Sequence, residues 1–164
     1  MATFAKRLTK EQAFPKIKHY CTYQERSHKE VKEKLYGLGL YKTDVEELLA
    51  QLIEEDYLNE ERFAIQYAGG KFRMKQWGRV KIQMGLKERQ VSTYCIRKAL
   101  FAISETDYEN TLNRLADKKW DILKGEQYLS REGKVRNYLL QKGFESALIQ
   151  KAVTRLKANG EAGN

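Results

Sequence analysis

Cys21, Cys95 and His19 are the side chains whose types suggest thiol or metal chemistry. A structural zinc site takes four ligands, usually with a Cys-x-x-Cys pair or clustered histidines. Neither pattern is present, so no metal ligand is assigned. Both cysteines fall among the apolar positions of helical patterns, where a free thiol acts as a small hydrophobe. Group-transfer chemistry also lacks its parts. No glycine-rich loop follows a strand pattern, no nucleophile sits beside a plausible base, and the carboxylates gather at helix starts or on exposed faces. The expectation is a protein with no catalytic residues and no cofactor.

What remains is electrostatic. The 164 residues carry 31 basic and 22 acidic side chains, a net charge of +9, which favours an anionic partner. The excess is uneven: residues 61–104 hold ten basic and two acidic residues, whereas residues 26–60 hold five and nine. Arg62, Lys71, Arg73, Lys75, Arg79 and Lys81 lie along one long helical pattern and the turn at Trp77, with no acid between Glu61 and Glu88. They are the candidate partner-binding residues, because such a cluster neutralises phosphates and releases counterions. A solvated face is the competing explanation of the same charges, and Arg62 can equally pair with a neighbouring Glu.

The elements that position these residues read as helices. One proline and many Lys, Glu, Leu and Gln residues suit helix. Ser27–Glu30, Thr43–Glu46 and Thr106–Glu109 fit the capping box, and Asn59 is a fourth N-cap with Leu58 and Phe63 placed for a hydrophobic staple. Apolar residues then recur at spacings of three and four. Gly69-Gly70 is a weak point in one helix, and Pro15 requires the first helix to start nearby or kink. Ser27, Val31, Leu35 and Leu49 recur as Gly78, Ile82, Leu86 and Leu100, and again as Arg131, Val135, Leu139 and Val153. The expected fold is all-α, an elongated stack of three tandem three-helix repeats with about nine helices. The repeats are placed at residues 9–57, 58–104 and 105–158, followed by a frayed tail at 159–164. Leu35, Leu58, Phe63, Trp77, Leu86 and Leu139 are the expected structural residues.

Two segments resemble a known family. Glu55-Asp56-Tyr57-Leu58-Asn59-Glu60-Glu61-Arg62-Phe63-Ala64 is similar to the junction between the first two repeats of the RecX family, and Trp77-Gly78-Arg79-Val80-Lys81-Ile82 to its Trp-Gly-x-x-Lys/Arg-Ile element. The Ser27-to-Leu35 helix with Gly39-Leu40, and Lys142-Gly143-Phe144, extend the resemblance over residues 13–156. Arg89-Gln90-Val91 departs from it, standing where Lys-Gly-apolar is usual. The resemblance implies a monomeric modulator, usually an inhibitor, of the RecA recombinase filament on DNA. It would act on recombinase, ATPase and coprotease activities in homologous recombination, DNA repair and the SOS response, and would bind free single- or double-stranded DNA weakly. The competing reading is a direct DNA-binding helix-turn-helix regulator, with Ser92-Thr93-Tyr94 the one modest recognition-helix start. No membrane span or secretory signal is seen, so a cytoplasmic location is expected.

Overall fold

The computed structural model describes residues 6–162. Among them are nine α-helices and no strand: α1 Lys10–Tyr23, α2 His28–Gly37, α3 Lys42–Glu54, α4 Glu60–Lys75, α5 Arg79–Glu88, α6 Thr93–Phe101, α7 Glu105–Ile122, α8 Tyr128–Lys142 and α9 Ser146–Ala162. Ser27 forms the expected capping box, its hydroxyl accepting from the Glu30 N–H and the Glu30 carboxylate accepting from the Ser27 N–H, each at 3.1 Å. Asn59 caps α4 through the Arg62 N–H at 2.8 Å. Two expected starts shift. The α3 N-cap is Tyr41, without a side-chain cap, so Thr43 lies inside the first turn. Ser104, not Thr106, caps α7, because its hydroxyl reaches the Asp107 N–H first.

Helix α1 begins five residues before Pro15 and continues through it. A start that early is held by a capping box that the sequence reading missed, Thr9 with Gln12. Helix α4 likewise runs unbroken across Gly69-Gly70. The segment expected to fray from residue 159 is helical to Ala162, and residues 163–164 lie outside the described part, as do residues 1–5.

The chain divides into two compact units, residues 1–67 with 86–99, and residues 68–85 with 100–164. The boundary therefore passes through α4 and α5. In the first unit α1, α2 and α3 pack on one another around Ala13, Ile17, Val31, Leu35, Val45, Leu48 and Leu52. In the second, α7, α8 and α9 do the same around Tyr108, Leu112, Val135, Leu139, Ile149 and Val153, joined by Phe72 and Ile82. Val31, Ile82 and Val135, and Leu35, Leu86 and Leu139, are all fully buried. Of the other expected structural residues, Leu58 and Phe63 are buried and Trp77 is half-buried.

Matching helix pairs α2–α3, α5–α6 and α8–α9 are joined by left-handed residues, Gly39 at φ 91°, Gln90 at φ 58° and Gly143 at φ 94°. The apolar residue after each, Leu40, Val91 and Phe144, is buried. Arg89-Gln90-Val91 thus keeps the turn despite lacking glycine.

Two outcomes follow from this packing. Leu35→Ala, Leu86→Ala and Leu139→Ala should each cost about 2–5 kcal/mol in denaturant titrations, through lost burial and the cavity left. Gln90→Gly should raise the denaturation midpoint, relieving a left-handed penalty of about 1 kcal/mol; an unchanged or lower midpoint would show that the Gln90 side chain offsets it.

Candidate partner-binding surface

The six candidate cations divide by what they touch. Arg62, in the first unit, pairs with Glu25, donates to the Asp56 carboxylate at 3.1 Å and to the Asp56 carbonyl at 3.1 Å. Its role there is to tie the start of α4 to the loops before it.

Arg79, in the second unit, is half as exposed as Arg62, with its side chain 18% exposed against 36%. Its guanidinium donates to Glu145 at 2.9 Å and Glu105 at 2.6 Å and lies over the Tyr108 ring. Tyr108 is wholly buried, stacked on Phe72 and meeting the tilted ring of Phe144. Its phenol donates to Glu145 and accepts the Arg79 backbone N–H at 2.9 Å. Burial, and then the hydrogen bond to Glu145, push the phenol's pKa far above the ordinary tyrosine range. A neutral phenol, a carboxylate and a guanidinium thus satisfy one another, as a buried polar cluster must.

Of the remaining four, two lie over Trp77. Lys71 and Lys81 place their ammonium groups 5.0 and 4.6 Å from the centre of the Trp77 ring, an electrostatically favourable arrangement with the ring's negative face. Lys81 also donates to the Gln141 carbonyl at 3.4 Å. Arg73 and Lys75 are exposed at the end of α4 and form no ion pair among the described residues.

This turn is held by direct backbone contact. The Gly78 N–H donates to the Lys142 carbonyl at 2.7 Å and the Val80 N–H to the Gly143 carbonyl at 2.9 Å. A Cβ on Gly78 would lie 2.4 Å from the Gly143 carbonyl, and one on Gly143 would lie 2.3 Å from the Lys81 Cβ. Lys142 closes the arrangement by donating to the Lys75 carbonyl at 3.1 Å. Sequence reading singled out Trp77-Gly78 and Lys142-Gly143 separately and missed Tyr108, Glu105 and Glu145, whose partners lie 26 to 66 residues away.

The cysteines are as expected, free and buried. Burial pushes the Cys21 thiol up to about 11, which leaves little thiolate for chemistry at neutral pH. No group of three or more potential metal-ligating side chains occurs among the described residues.

Comparison with known proteins gives this geometry a family. Models of the second and third three-helix domains of RecX match residues 59–100 and 106–153. The regulatory protein RecX of Clostridium perfringens strain 13 is 31% identical over 163 residues, covering 94% of this chain and 74% of that protein. The chain belongs to the RecX family. The RecX of Chlorobium limicola is also 31% identical, with 82% and 84% covered, while the chain spans 54% of the Oceanobacillus iheyensis relative. The crystal structure of RecX from Lactobacillus salivarius has the same fold, with a TM-score of 0.83 at 23% identity over 91% of this chain and 97% of that one. The tandem three-helix, all-α architecture and the regulatory class are those of RecX proteins. In this RecX-family chain, the Trp-Gly element is the segment whose backbone meets the third repeat's Lys-Gly-Phe turn.

Gly78→Ala should therefore destabilise the protein by about 3 kcal/mol, as a Cβ forced against backbone overpacks the contact. Tyr108→Phe should cost about 1–3 kcal/mol, leaving the Arg79 N–H without its acceptor. The phenol pKa is raised on folding, so its contribution is complete below the unfolded value of about 10 and declines above it. The gap between wild type and Tyr108→Phe should accordingly narrow as denaturation is repeated above pH ~10. A gap constant with pH would show that the phenol makes no such contribution.

Proposed function

We propose that this protein binds the RecA recombinase filament on DNA and restrains it, acting by occupancy rather than catalysis, in the cytoplasm. The observation that supports this reading is the Trp77 surface. Lys71 and Lys81 flank a half-buried indole there, and Arg73 and Lys75 are exposed on the last turn of α4 before it. Membership of a family of regulatory proteins favours a protein partner, and an exposed cationic surface steers association with the anionic parts of a filament. Arg62 and Arg79 are excluded from the contact surface because their charges are met internally. No helix among the described residues is long and apolar enough to cross a membrane, so nothing in this reading needs a bilayer.

The direct test is the DNA-dependent ATPase and filament growth of RecA with and without the purified protein. Inhibition of both is expected. Arg73→Glu with Lys75→Glu should weaken binding to RecA–DNA filaments about tenfold or more and flatten its salt dependence, with circular dichroism unchanged. Lys32→Glu with Lys151→Glu, two exposed cations elsewhere, should change binding little. Wild-type behaviour of the Arg73/Lys75 double variant would move the contact away from Trp77. Tight sequence-specific binding to bare duplex, with no effect on RecA, would replace this reading with the helix-turn-helix one, in which Thr93 and Tyr94 at the exposed start of α6 would face DNA.

A further inference from the structure

The first unit holds a cleft that none of the preceding sites uses. It lies between α1 and α2 and has a volume of about 550 Å³. Pro15, Tyr20, Tyr23 and Leu38 give it an apolar lining, and Lys16, Arg26 and Lys34 stand in its wall. No acidic side chain lines it. Arg26 is held in place there. Its guanidinium covers the Tyr20 ring at 3.7 Å, and its Nε donates to the Tyr20 carbonyl at 3.0 Å. One nitrogen thus closes the last turn of α1, while the two Nη groups meet no acceptor among the described residues.

The third repeat contains the same pairing in closed form. Arg131 covers the Trp120 ring at 3.8 Å and gives both Nε and Nη2 to the Trp120 carbonyl. Tyr128, three residues before Arg131, meets Trp120 edge-on at 5.6 Å. In the first repeat Tyr23, likewise three residues before its arginine, is 77% exposed and contacts no other ring among the described residues. An open cleft adjoins Tyr20 instead. The acids nearest in sequence do not fill it. Glu30, one helical turn before Lys34, accepts from the Ser27 N–H and pairs with Arg89 at 3.4 Å, and Glu25, beside Arg26, pairs with Arg62. Glu33, next to Lys34, and Glu11, one turn before Pro15, are exposed and do not line the cleft. Lys16 has no carboxylate one turn away on α1, and neither it nor Lys34 forms an ion pair among the described residues.

We propose that this cleft binds a short acidic peptide segment of a partner protein. An Asp or Glu carboxylate takes the Nη groups of Arg26, further carboxylates meet Lys16 and Lys34, and one large apolar side chain enters between Tyr23, Pro15 and Leu38. A guanidinium already fixed by its ring matches a carboxylate through two parallel hydrogen bonds. The ammonium groups stand on different helices and suit separate carboxylates, which a peptide carries and a simple organic acid does not. An extended polyanion such as a nucleic-acid strand is disfavoured by the rest of the repeat, which holds nine acidic and five basic residues over 26–60 and repels it on either side. The inference goes beyond the RecA reading and rests on cations of the first unit that the reading does not use.

The test uses the whole protein without RecA. Titration calorimetry at low and moderate salt would be run with a short synthetic peptide in which glutamates and aspartates flank one phenylalanine. Two comparison peptides replace the acids by their amides, or the phenylalanine by alanine, and a short oligothymidylate is the polyanion control. The acidic peptide is expected to bind, less tightly as salt rises, and each comparison peptide to bind about tenfold more weakly or worse. Lys16→Glu with Lys34→Glu, both exposed, should weaken the acidic peptide by a similar factor with circular dichroism unchanged. Arg26→Lys should weaken it too, since lysine keeps the charge and loses the fork. Arg73→Glu with Lys75→Glu should leave it unchanged. The proposal is overturned if the acidic peptide does not bind, if the Lys16/Lys34 and Arg26 variants bind it like wild type, if either comparison peptide binds as tightly, or if the oligothymidylate displaces it at equal concentration. Loss of binding in the Arg73/Lys75 variant would also overturn it, placing the peptide with the cations of α4. Inhibition of RecA is read separately and alters none of these outcomes.

Discussion

The second unit depends on one contact, the backbone approach of Gly78 to Gly143. Helix ends leave N–H groups without acceptors and carbonyls without donors, and here two ends satisfy one another. The start of α5 supplies the N–H groups of Gly78 and Val80, and the end of α8 supplies the carbonyls of Lys142 and Gly143. The N–H between them, that of Arg79, goes to the Tyr108 phenol. The positive end of one helix dipole thereby meets the negative end of another. Neither glycine can carry a side chain without moving backbone atoms. The equivalent position in the first repeat is Ser27, which caps its own helix with its hydroxyl. Where a neighbouring chain segment provides the acceptors, the capping hydroxyl is unnecessary and its Cβ would obstruct the approach.

This contact also decides which cations are available to a partner. Once α5 starts against the end of α8, Arg79 points at Glu145 and Glu105 and ceases to be a surface charge. Lys81 and Lys71 are left over Trp77, and Lys142 is drawn to the Lys75 carbonyl. Related economies occur at the ends of first helices. Arg26 donates to the Tyr20 carbonyl and covers its ring, and Arg131 does the same for Trp120. Arg26, Arg131 and Lys142 therefore close helix ends, and net charge overstates how many cations face a partner.

Helix number, the three-helix repeat and the buried Leu and Val positions were legible because each rests on local spacing, which a single chain displays directly. Helix starts were less so. Ser104 and Thr106 are both competent caps two residues apart, and which one wins depends on the path of the preceding chain rather than on residue type. The same limit hid the status of Arg62 and Arg79. The carboxylate partners of Arg79 are 26 and 66 residues away, beyond any local pattern. Arg62, whose pairing with a nearby acid the sequence allowed, meets Glu25 at a separation of 37 as well as Asp56 at six. Both were therefore grouped with cations that they do not resemble.

The three repeat turns show what a glycine there signifies. Left-handed backbone does not by itself demand glycine, since Asp56, Gln76 and Gln90 adopt it at φ 58–61°, inside the small region open to residues with a Cβ. Gly39 and Gly143, at 91° and 94°, lie beyond that region, and each has a neighbour within 3 Å of where a Cβ would be. For Gly39 the neighbour is Arg7, whose side chain reaches the Gly39 carbonyl at 2.9 Å; for Gly143 it is Lys81. Around Gln90 the chain relaxes into the permitted well, and the buried Val91 still follows. The departure at Arg89-Gln90-Val91 is thus a departure in sequence and not in fold: the glycine is retained where another segment must come close, and the turn alone survives without it.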